Sequence, residues 1–279
     1  DDSHGRCPAD GSALTMPWAL DLPGPAEWSV QIVDIDTGAV LAARDEESLL
    51  SSASVGKLFV LIELAHRLAD DSVDGAELLD RHAVEPVADS GLWQRLCVDR
   101  LPLLDVATLV GTVSDNWATN VLIDRLGLDA IRARAQQWAP RGSDLVDIVR
   151  GLRGPDDPPH LSRCCAADLV AMLIRLRGDA QVGTRVLDWL SGGVDHSMVT
   201  SAFDQDPLAH DEDPFGPTVV NKTGTNLGVR ADVGLVTANE RTLAYAVIAN
   251  WHEDPPGRGR AEVLSAMRAL GSQVLEEIR

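Results

Sequence analysis

The stretch SSASVGKLFVLIELAHRL (residues 51–68) begins with small polar residues and continues into a regular apolar pattern. Leu58, Ile62 and Leu68 recur at helical spacing, and Ser54 stands where that helix begins. A Ser and a Lys three residues later share one face of a helix, so the Ser54 hydroxyl can contact the Lys57 amine. A buried Lys that has lost its proton can act as a base toward the Ser. The alternative is a serine helix cap beside a solvated lysine.

The use of basic residues singles out the same position. Lys57 and Lys222 are the two lysines among 24 basic residues, and the others are arginines. Water hardly distinguishes the two residue types at a surface, but only an ammonium gives up its proton when it is buried. We therefore expect both lysines at positions that need an amine, with chance survival as the alternative.

Charge and composition exclude several classes of function. The formal net charge is −19 and the isoelectric point is about 4.6, which argues against a nucleic-acid partner. The longest apolar run, LFVLIELA, is far too short to span a membrane. The compartment stays open: we expect a secreted protein if a signal peptide has been trimmed, and a cytoplasmic one otherwise.

The cysteines indicate neither a disulfide framework nor a metal site. Cys7 and Cys97 are isolated, and Cys164 and Cys165 are neighbours. This spacing matches no zinc motif, so we expect mostly free thiols, no metal and no other cofactor.

Strands are predicted at both ends of the chain and helices in the middle. The segment 27–45 alternates around a turn at 36–38 and predicts a hairpin, although Val33 beside Ile32 breaks the alternation. Later strands are predicted at 217–224, 231–238 and 243–250. Helices are predicted at 102–111, 117–126, 129–138, 166–177, 182–190 and 260–278, with much of 139–163 as loop.

This order predicts an α+β fold. The simplest assembly joins the strands from both ends into one antiparallel sheet flanked by terminal helices, with an inserted all-α domain. The predicted boundaries are 1–53 with 200–279 for the α/β domain and 54–199 for the all-α domain. The active site is expected between the two domains.

Two further motifs contain residues suited to the same chemistry. In SDNWATN (114–120), Ser114 can relay a proton and Asn116 can bind a substrate amide, although a loop with a helix cap is the alternative. In VVNKTGTN (219–226), Lys222 can polarise Ser114 and hold a substrate carboxylate. Gly224 lets substrate approach the strand. The N–H of Thr225 can form an oxyanion hole with that of Ser54. An ordinary strand-end lysine is the alternative.

Taken together and in this order, S-x-x-K, S-D-N and K-T-G resemble the class A β-lactamases and the related penicillin-binding proteins. The resemblance extends from about Trp28 to the final helix. It implies a β-lactamase/transpeptidase-like fold and a serine hydrolase that β-lactams or acyl-peptides acylate. It also implies that Ser54 is the nucleophile, Lys57 the base, and Ser114 the proton relay.

The resemblance further implies how substrate is bound. Lys222 with Thr223 and Thr225 would bind the substrate carboxylate. Arg230 would be a second anchor for it, or else a solvated arginine. Trp93 would be an aromatic gate over the pocket, or else a core residue.

The sequence departs from this family in one loop. Class A β-lactamases carry a glutamate there, within E-x-x-L-N, that activates the deacylating water. The corresponding stretch, GSDLVDIVRGLRGPDDPPHLSRCCAADL (142–169), contains no glutamate and places an apolar or basic residue near its position. Deacylation would then be slow or use another group, such as neutral Lys57. Candidate substitutes, with solvated loop residues as the alternative, are Asp144, Asp147, Asp156, Asp157 and His160.

Three functions therefore stay open. The first is a β-lactamase-like hydrolase with slow or unconventional turnover. The second is a D,D-peptidase, esterase or transacylase with the same acylation machinery. The third is a penicillin-binding sensor that is acylated once without turnover.

Overall fold

The computed structural model describes residues 18–206, 216–252 and 258–279. Within these residues the strands are β1 (Ala26–Asp34), β2 (Val40–Arg44), β3 (Leu50–Ser51), β4 (Leu78–Asp80), β5 (Arg100–Pro102), β6 (Asp144–Leu145), β7 (Ser162–Cys164), β8 (Thr218–Asn226), β9 (Val229–Ala238) and β10 (Arg241–Trp251). The α-helices are α1 (Lys57–Ala69), α2 (Leu103–Val113), α3 (Asn116–Leu126), α4 (Leu128–Trp138), α5 (Ala166–Gly178), α6 (Val182–Ser191) and α7 (Arg258–Ile278).

Strands from both ends of the chain form one antiparallel sheet, in the order β2-β1-β10-β9-β8. The pairing of β1 with β10 closes the sheet across a long sequence separation. Helices α1 to α6 lie between β3 and β8 in the sequence. The predicted α+β fold, with helices inserted between the halves of an antiparallel sheet, is confirmed.

The neighbouring apolar residues Ile32 and Val33 lie on opposite faces of the sheet. The pairing of β1 with β2 shifts register between Ile32 and Val33. Ile32 packs with Trp28 on one face of the sheet and Val33 packs on the other, as the ordinary alternation of a strand requires. Both are buried because a core covers each face. The extra residue of the β-bulge is Leu41 in β2, which joins Ala42 in the same core.

Each face of the sheet supports its own hydrophobic core. On one face α7 packs with residues of β1 and β10. On the other face α5 covers the sheet, and the remaining helices pack around α1. Every residue from Lys57 to Ala65 in α1 is buried, so this helix is central to the core. The candidate site lies where α1 approaches the edge of the sheet.

The inserted segment is not entirely helical. It contains the short pairs β4–β5 and β6–β7, and β3 pairs with β7. The loop predicted over 139–163 is largely irregular, apart from residues of β6 and β7. The predicted domain boundaries stay a prediction. None of the described helices has the length and apolar character needed to cross a membrane.

Three thiols are free, as expected. Cys97 is exposed, and Cys164 and Cys165 are buried. Burial raises the pKa of the Cys164 thiol to about 12, so it stays protonated near neutral pH. Cys7 lies outside the described residues.

Candidate active site

Ser54 lies at the junction between the sheet and the central helix. A single 3₁₀ turn, Ala53–Gly56, precedes α1, and Ser54 is its half-buried member. Ala53 has a left-handed backbone, with φ of 46°, which sharpens the entry into this turn. Ser54 lines a cleft of about 380 Å³.

Lys57 is fully buried one turn further along, which excludes the solvated-lysine alternative. Its Nζ donates to the backbone oxygen of Ser114 at 2.7 Å and to Oδ1 of Asn116 at 2.8 Å. It also lies 3.2 Å from Oγ of Ser114. A neutral amine can donate to the first two oxygens and accept from the Ser114 hydroxyl, so this geometry suits a base.

Ser114 lies between the two lysines of the chain. Lys222 Nζ donates to Oγ of Ser114 at 3.0 Å and to the backbone oxygen of Thr223 at 2.9 Å. One hydroxyl thus contacts both amines, as a proton relay requires. A proton relay at these two positions needs a group that can lose its proton, which a lysine ammonium can do and an arginine guanidinium cannot.

Burial shifts the pKa values of both amines downward. It lowers the pKa of Lys57 well below its ordinary value, and repulsion from Lys222 adds to this, while Asp115 opposes it. Burial lowers the pKa of Lys222 to about 8, against the attraction of Asp195 and Asp232. Burial thus favours the neutral form of both amines, and the charge of Lys222 favours it further at Lys57.

The S-D-N motif is held by its middle residue, to which the sequence assigned no role. Asp115 caps α3 by accepting from the N–H of Ala118, and it also accepts from the N–H groups of Leu92 and Trp93. Ser114 itself is left-handed, with φ of 54°. The preference of Asp for helix caps is the signal that could have identified Asp115 as a positioning residue.

The edge strand β8 forms the opposite wall of the cleft. Asn226 and Val229 are the last pair of the β8–β9 ladder beside a two-residue turn, so they exchange hydrogen bonds. The alternation of an antiparallel ladder then turns the N–H of Thr225 away from β9. Because β8 is the edge strand, that N–H faces the cleft lined by Ser54. This orientation is the one that an oxyanion hole needs.

Gly224 lies in close contact with the turn that holds Ser54. A Cβ at this position would lie 2.2 Å from the backbone oxygen of Ser52 and 3.2 Å from the nitrogen of Ser54. The missing side chain therefore lets β8 approach the turn that holds Ser54. The approach of substrate to this strand stays a prediction.

Thr223 contacts a residue that the sequence did not identify. Its Oγ1 donates to Oδ2 of Asp195 at 2.7 Å, and Asp195 lines the cleft with Ser54. Burial disfavours the charged form, but hydrogen bonds from Ser197 and Thr223 outweigh it and hold the pKa of Asp195 below its usual range. No motif marks this aspartate, which stands 28 residues from Thr223.

Three predicted binding residues are not among the described residues that line the cleft with Ser54. Lys222 lines the adjoining cavity of about 110 Å³ instead. Trp93 is fully buried in the core, and its Nε1 donates to the backbone oxygen of Val98, so the prediction of an aromatic gate is wrong. Arg230 pairs with Thr225 in the ladder, but its Nη1 donates to the backbone oxygens of Asn226 and Val229. A role for Arg230 in binding stays a prediction.

The loop wall of the cleft is apolar and basic, as the sequence indicated. It consists of Val149, Arg150, Arg153 and Leu161. Asn120 fixes this wall, because its amide exchanges two hydrogen bonds of 2.8 Å with the backbone of Val149.

None of the acidic or histidine substitutes proposed for the loop glutamate is among the described residues that line this cleft. Asp147 is buried and paired with Arg150 and Arg153. Of the others, Asp144 and Asp157 are paired with arginines, Asp156 is exposed, and His160 is half-buried. The carboxylates that do line the cleft are Asp89 and Asp195.

The sequence profile of the β-lactamase enzyme family matches residues 20–278, which is nearly the whole chain. The chain belongs to this family. Among curated protein sequences, none matches it.

Solved structures show the same β-lactamase/transpeptidase-like fold. A β-lactamase from Sphaerobacter thermophilus DSM 20745 is 22% identical, with 91% of this chain and 92% of that chain covered and a TM-score of 0.76. PBP-A is 20% identical, with 92% of each chain covered and a TM-score of 0.73. A PBP-A variant, described as an acyl-enzyme complex with penicillin G, is 23% identical over 91% of each chain, with a TM-score of 0.70.

Proposed function

We propose that this β-lactamase family member is a serine hydrolase that β-lactams acylate on Ser54, with slow deacylation. The main observation that supports the proposal is that Oγ of Ser114 contacts both buried lysines. A PBP-A relative described as an acyl-enzyme with penicillin G supports the choice of substrate class.

Both amines take part in the proposed acylation. Neutral Lys57 takes the proton of Ser54 as Oγ attacks the β-lactam carbonyl carbon. The N–H groups of Ser54 and Thr225 stabilise the oxyanion. The lactam C–N bond breaks, and the proton passes from Lys57 through Ser114 to the leaving nitrogen. Lys222 stabilises the Ser114 oxygen during this transfer.

Deacylation lacks a carboxylate on the loop wall. In our proposal, neutral Lys57 takes a proton from a water that attacks the acyl carbonyl carbon, and that proton returns to Ser54 Oγ as the ester bond breaks. The product is a carboxylic acid. Because no carboxylate among the described residues of the loop wall positions or activates this water, we expect the step to be slow.

The apolar and basic loop wall favours a second candidate function. A D,D-peptidase, esterase or transacylase needs the same acylation step but not the family's deacylating glutamate. Turnover of an ester or a D-Ala-D-Ala peptide, without turnover of penicillin, would favour this candidate. Stoichiometric acylation with no turnover of any substrate would instead indicate a penicillin-binding sensor.

Intact-protein mass spectrometry after addition of penicillin G tests the leading proposal. We expect a slowly decaying adduct on the wild type and none on Ser54→Ala. Ser48→Ala, which alters an exposed serine outside the cleft, is the matched control and should be labelled like the wild type. A folded Ser54→Ala protein that still forms the adduct would contradict the proposal.

A further inference from the structure

One wall of the cleft carries a fixed carboxylate where the family resemblance places the substrate carboxylate. Asp195 lines both the cleft with Ser54 and an adjoining cavity of about 110 Å³ that Ser114, Lys222 and Thr223 also line. It therefore stands beside the residues expected to bind an anionic substrate group.

Hydrogen bonds hold this carboxylate in place. Oδ1 of Asp195 accepts from Oγ of Ser197 at 2.6 Å and from the Ser197 N–H at 3.1 Å. The backbone oxygen of Asp195 accepts from Nδ2 of Asn221 at 3.2 Å. A side chain restrained at both ends cannot leave its position at low cost.

Asp195 also uses the donor that a substrate carboxylate would need. A threonine hydroxyl has one hydrogen, and Thr223 donates it to Oδ2 of Asp195. A carboxylate has about four acceptor sites, of which this arrangement uses three. The remaining site lies on Oδ2, on the oxygen that contacts Thr223, and it accepts hydrogen bonds but cannot donate them.

The positive charge of Lys222 is already compensated. Asp195 and the fully buried Asp232 both attract its ammonium. Two of its three donors are used by Ser114 Oγ and Thr223 O. A carboxylate entering here would meet the negative charge of Asp195 beside an ammonium that two carboxylates already attract.

We propose that Asp195 is a specificity-determining residue that disfavours a substrate carboxylate at the Lys222 end of the cleft. The acyl donors selected are those that present an uncharged hydrogen-bond donor there, such as a carboxamide, to the free acceptor site on Asp195. This inference rests on the proposed acylation of Ser54 and defines the substrate class of that reaction.

A matched pair of probes tests it: penicillin G and its carboxamide, which differ only in the group expected at this end. Acylation rates are measured by mass spectrometry and normalised to the reaction of each probe with hydroxide. We expect the wild type to favour the carboxamide by about tenfold or more, because like charges brought together in a desolvated contact are costly.

Asp195→Asn removes the charge and keeps an oxygen that can accept from Thr223. We expect it to accelerate acylation by penicillin G by about tenfold and to leave the carboxamide rate within about twofold. The control is Asp89→Asn, which removes the other carboxylate that lines the cleft and should change the ratio far less.

The outcomes separate the two proposals. If the wild type preferred penicillin G, or if Asp195→Asn left the ratio of the two acylation rates unchanged, the proposed role of Asp195 would be wrong. The proposed acylation of Ser54 would still stand. The wild-type ratio needs no variant, so it decides even if Asp195→Asn does not fold. If no β-lactam or ester labels Ser54 in the wild type, the proposed function and this inference both fail.

Discussion

Replacing Lys222 with glutamine should move the pH dependence of Ser54 acylation. The change removes the ammonium that donates to Ser114 and that repels a charged Lys57. With this repulsion gone, the ammonium form of Lys57 becomes more stable, so the pKa of Lys57 rises. Since only neutral Lys57 acts as base, acylation then begins at a higher pH.

The magnitude follows from the distances to Ser114. Because Oγ of Ser114 lies 3.2 Å from Lys57 Nζ and 3.0 Å from Lys222 Nζ, the two nitrogens are at most about 6 Å apart. Two unit charges at about 6 Å interact by about 3 kcal/mol at an effective dielectric constant of about 20, which is about 2 pH units. The acid limb of the pH–rate profile is the range in which acylation rises as Lys57 loses its proton. We expect the midpoint of this limb to move to higher pH by about that amount.

The wild type should also lose activity on the alkaline side, as Lys222 loses its proton near its pKa of about 8. Lys222→Gln should lack this limb. The assay is the second-order rate of acylation by a reactive ester or penicillin, followed by mass spectrometry between about pH 5 and pH 10.

Two variants control for the loss of the hydrogen bond to Ser114. Lys222→Arg keeps a positive charge, and Ser114→Ala keeps Lys222 itself, so both should lower the rate with little movement of the acid limb. An acid limb that Lys222→Gln leaves in place, or moves to lower pH, would refute the coupling between the two amines.

The remaining predictions concern the supports of the site. Gly224→Ala places a methyl group 2.2 Å from the Ser52 oxygen, so it should lower the unfolding free energy by about 1–3 kcal/mol and abolish most acylation at Ser54, whereas Gly24→Ala, with open space around it, should do neither. Denaturant titration and the labelling assay measure both effects, and full labelling of Gly224→Ala would contradict the packing argument. Trp93→Ala should lower the unfolding free energy by about 3–5 kcal/mol because the indole is fully buried, whereas Trp93→Phe should fold and keep the acylation rate within about threefold of the wild type. If a stable Trp93→Phe protein selectively lost acylation, Trp93 would have a role in substrate binding after all.

Much of the fold could be predicted because its signals are local. Helical periodicity identified α1 to α7 to within a few residues, and alternation with β-rich composition identified the five strands of the main sheet. The short strands β3 to β7 were not predicted. The burial of both Ile32 and Val33 could not be assigned, since it depends on helices that cover both faces of the sheet, and the bulge at Leu41 depends on the pairing of β1 with β2. Gly224 was recognised as a close approach, but its partner is Ser52, which only the packing of β8 reveals.

The sequence by itself determined the family, the α+β order of elements, and the expectation that two lysines stand where an amine is needed. The family follows from the resemblance of three short motifs, and the expectation for the lysines follows from their scarcity. The order of elements follows from local periodicity, which local geometry converts directly into shared faces and turns. Only the tertiary structure decided that Ser114 contacts both amines, that Trp93 belongs to the core, and that Asp195 takes the hydroxyl of Thr223. Contacts of this kind join residues far apart in the chain, so they depend on how the edge of the sheet packs against the helices, and no local pattern encodes that packing.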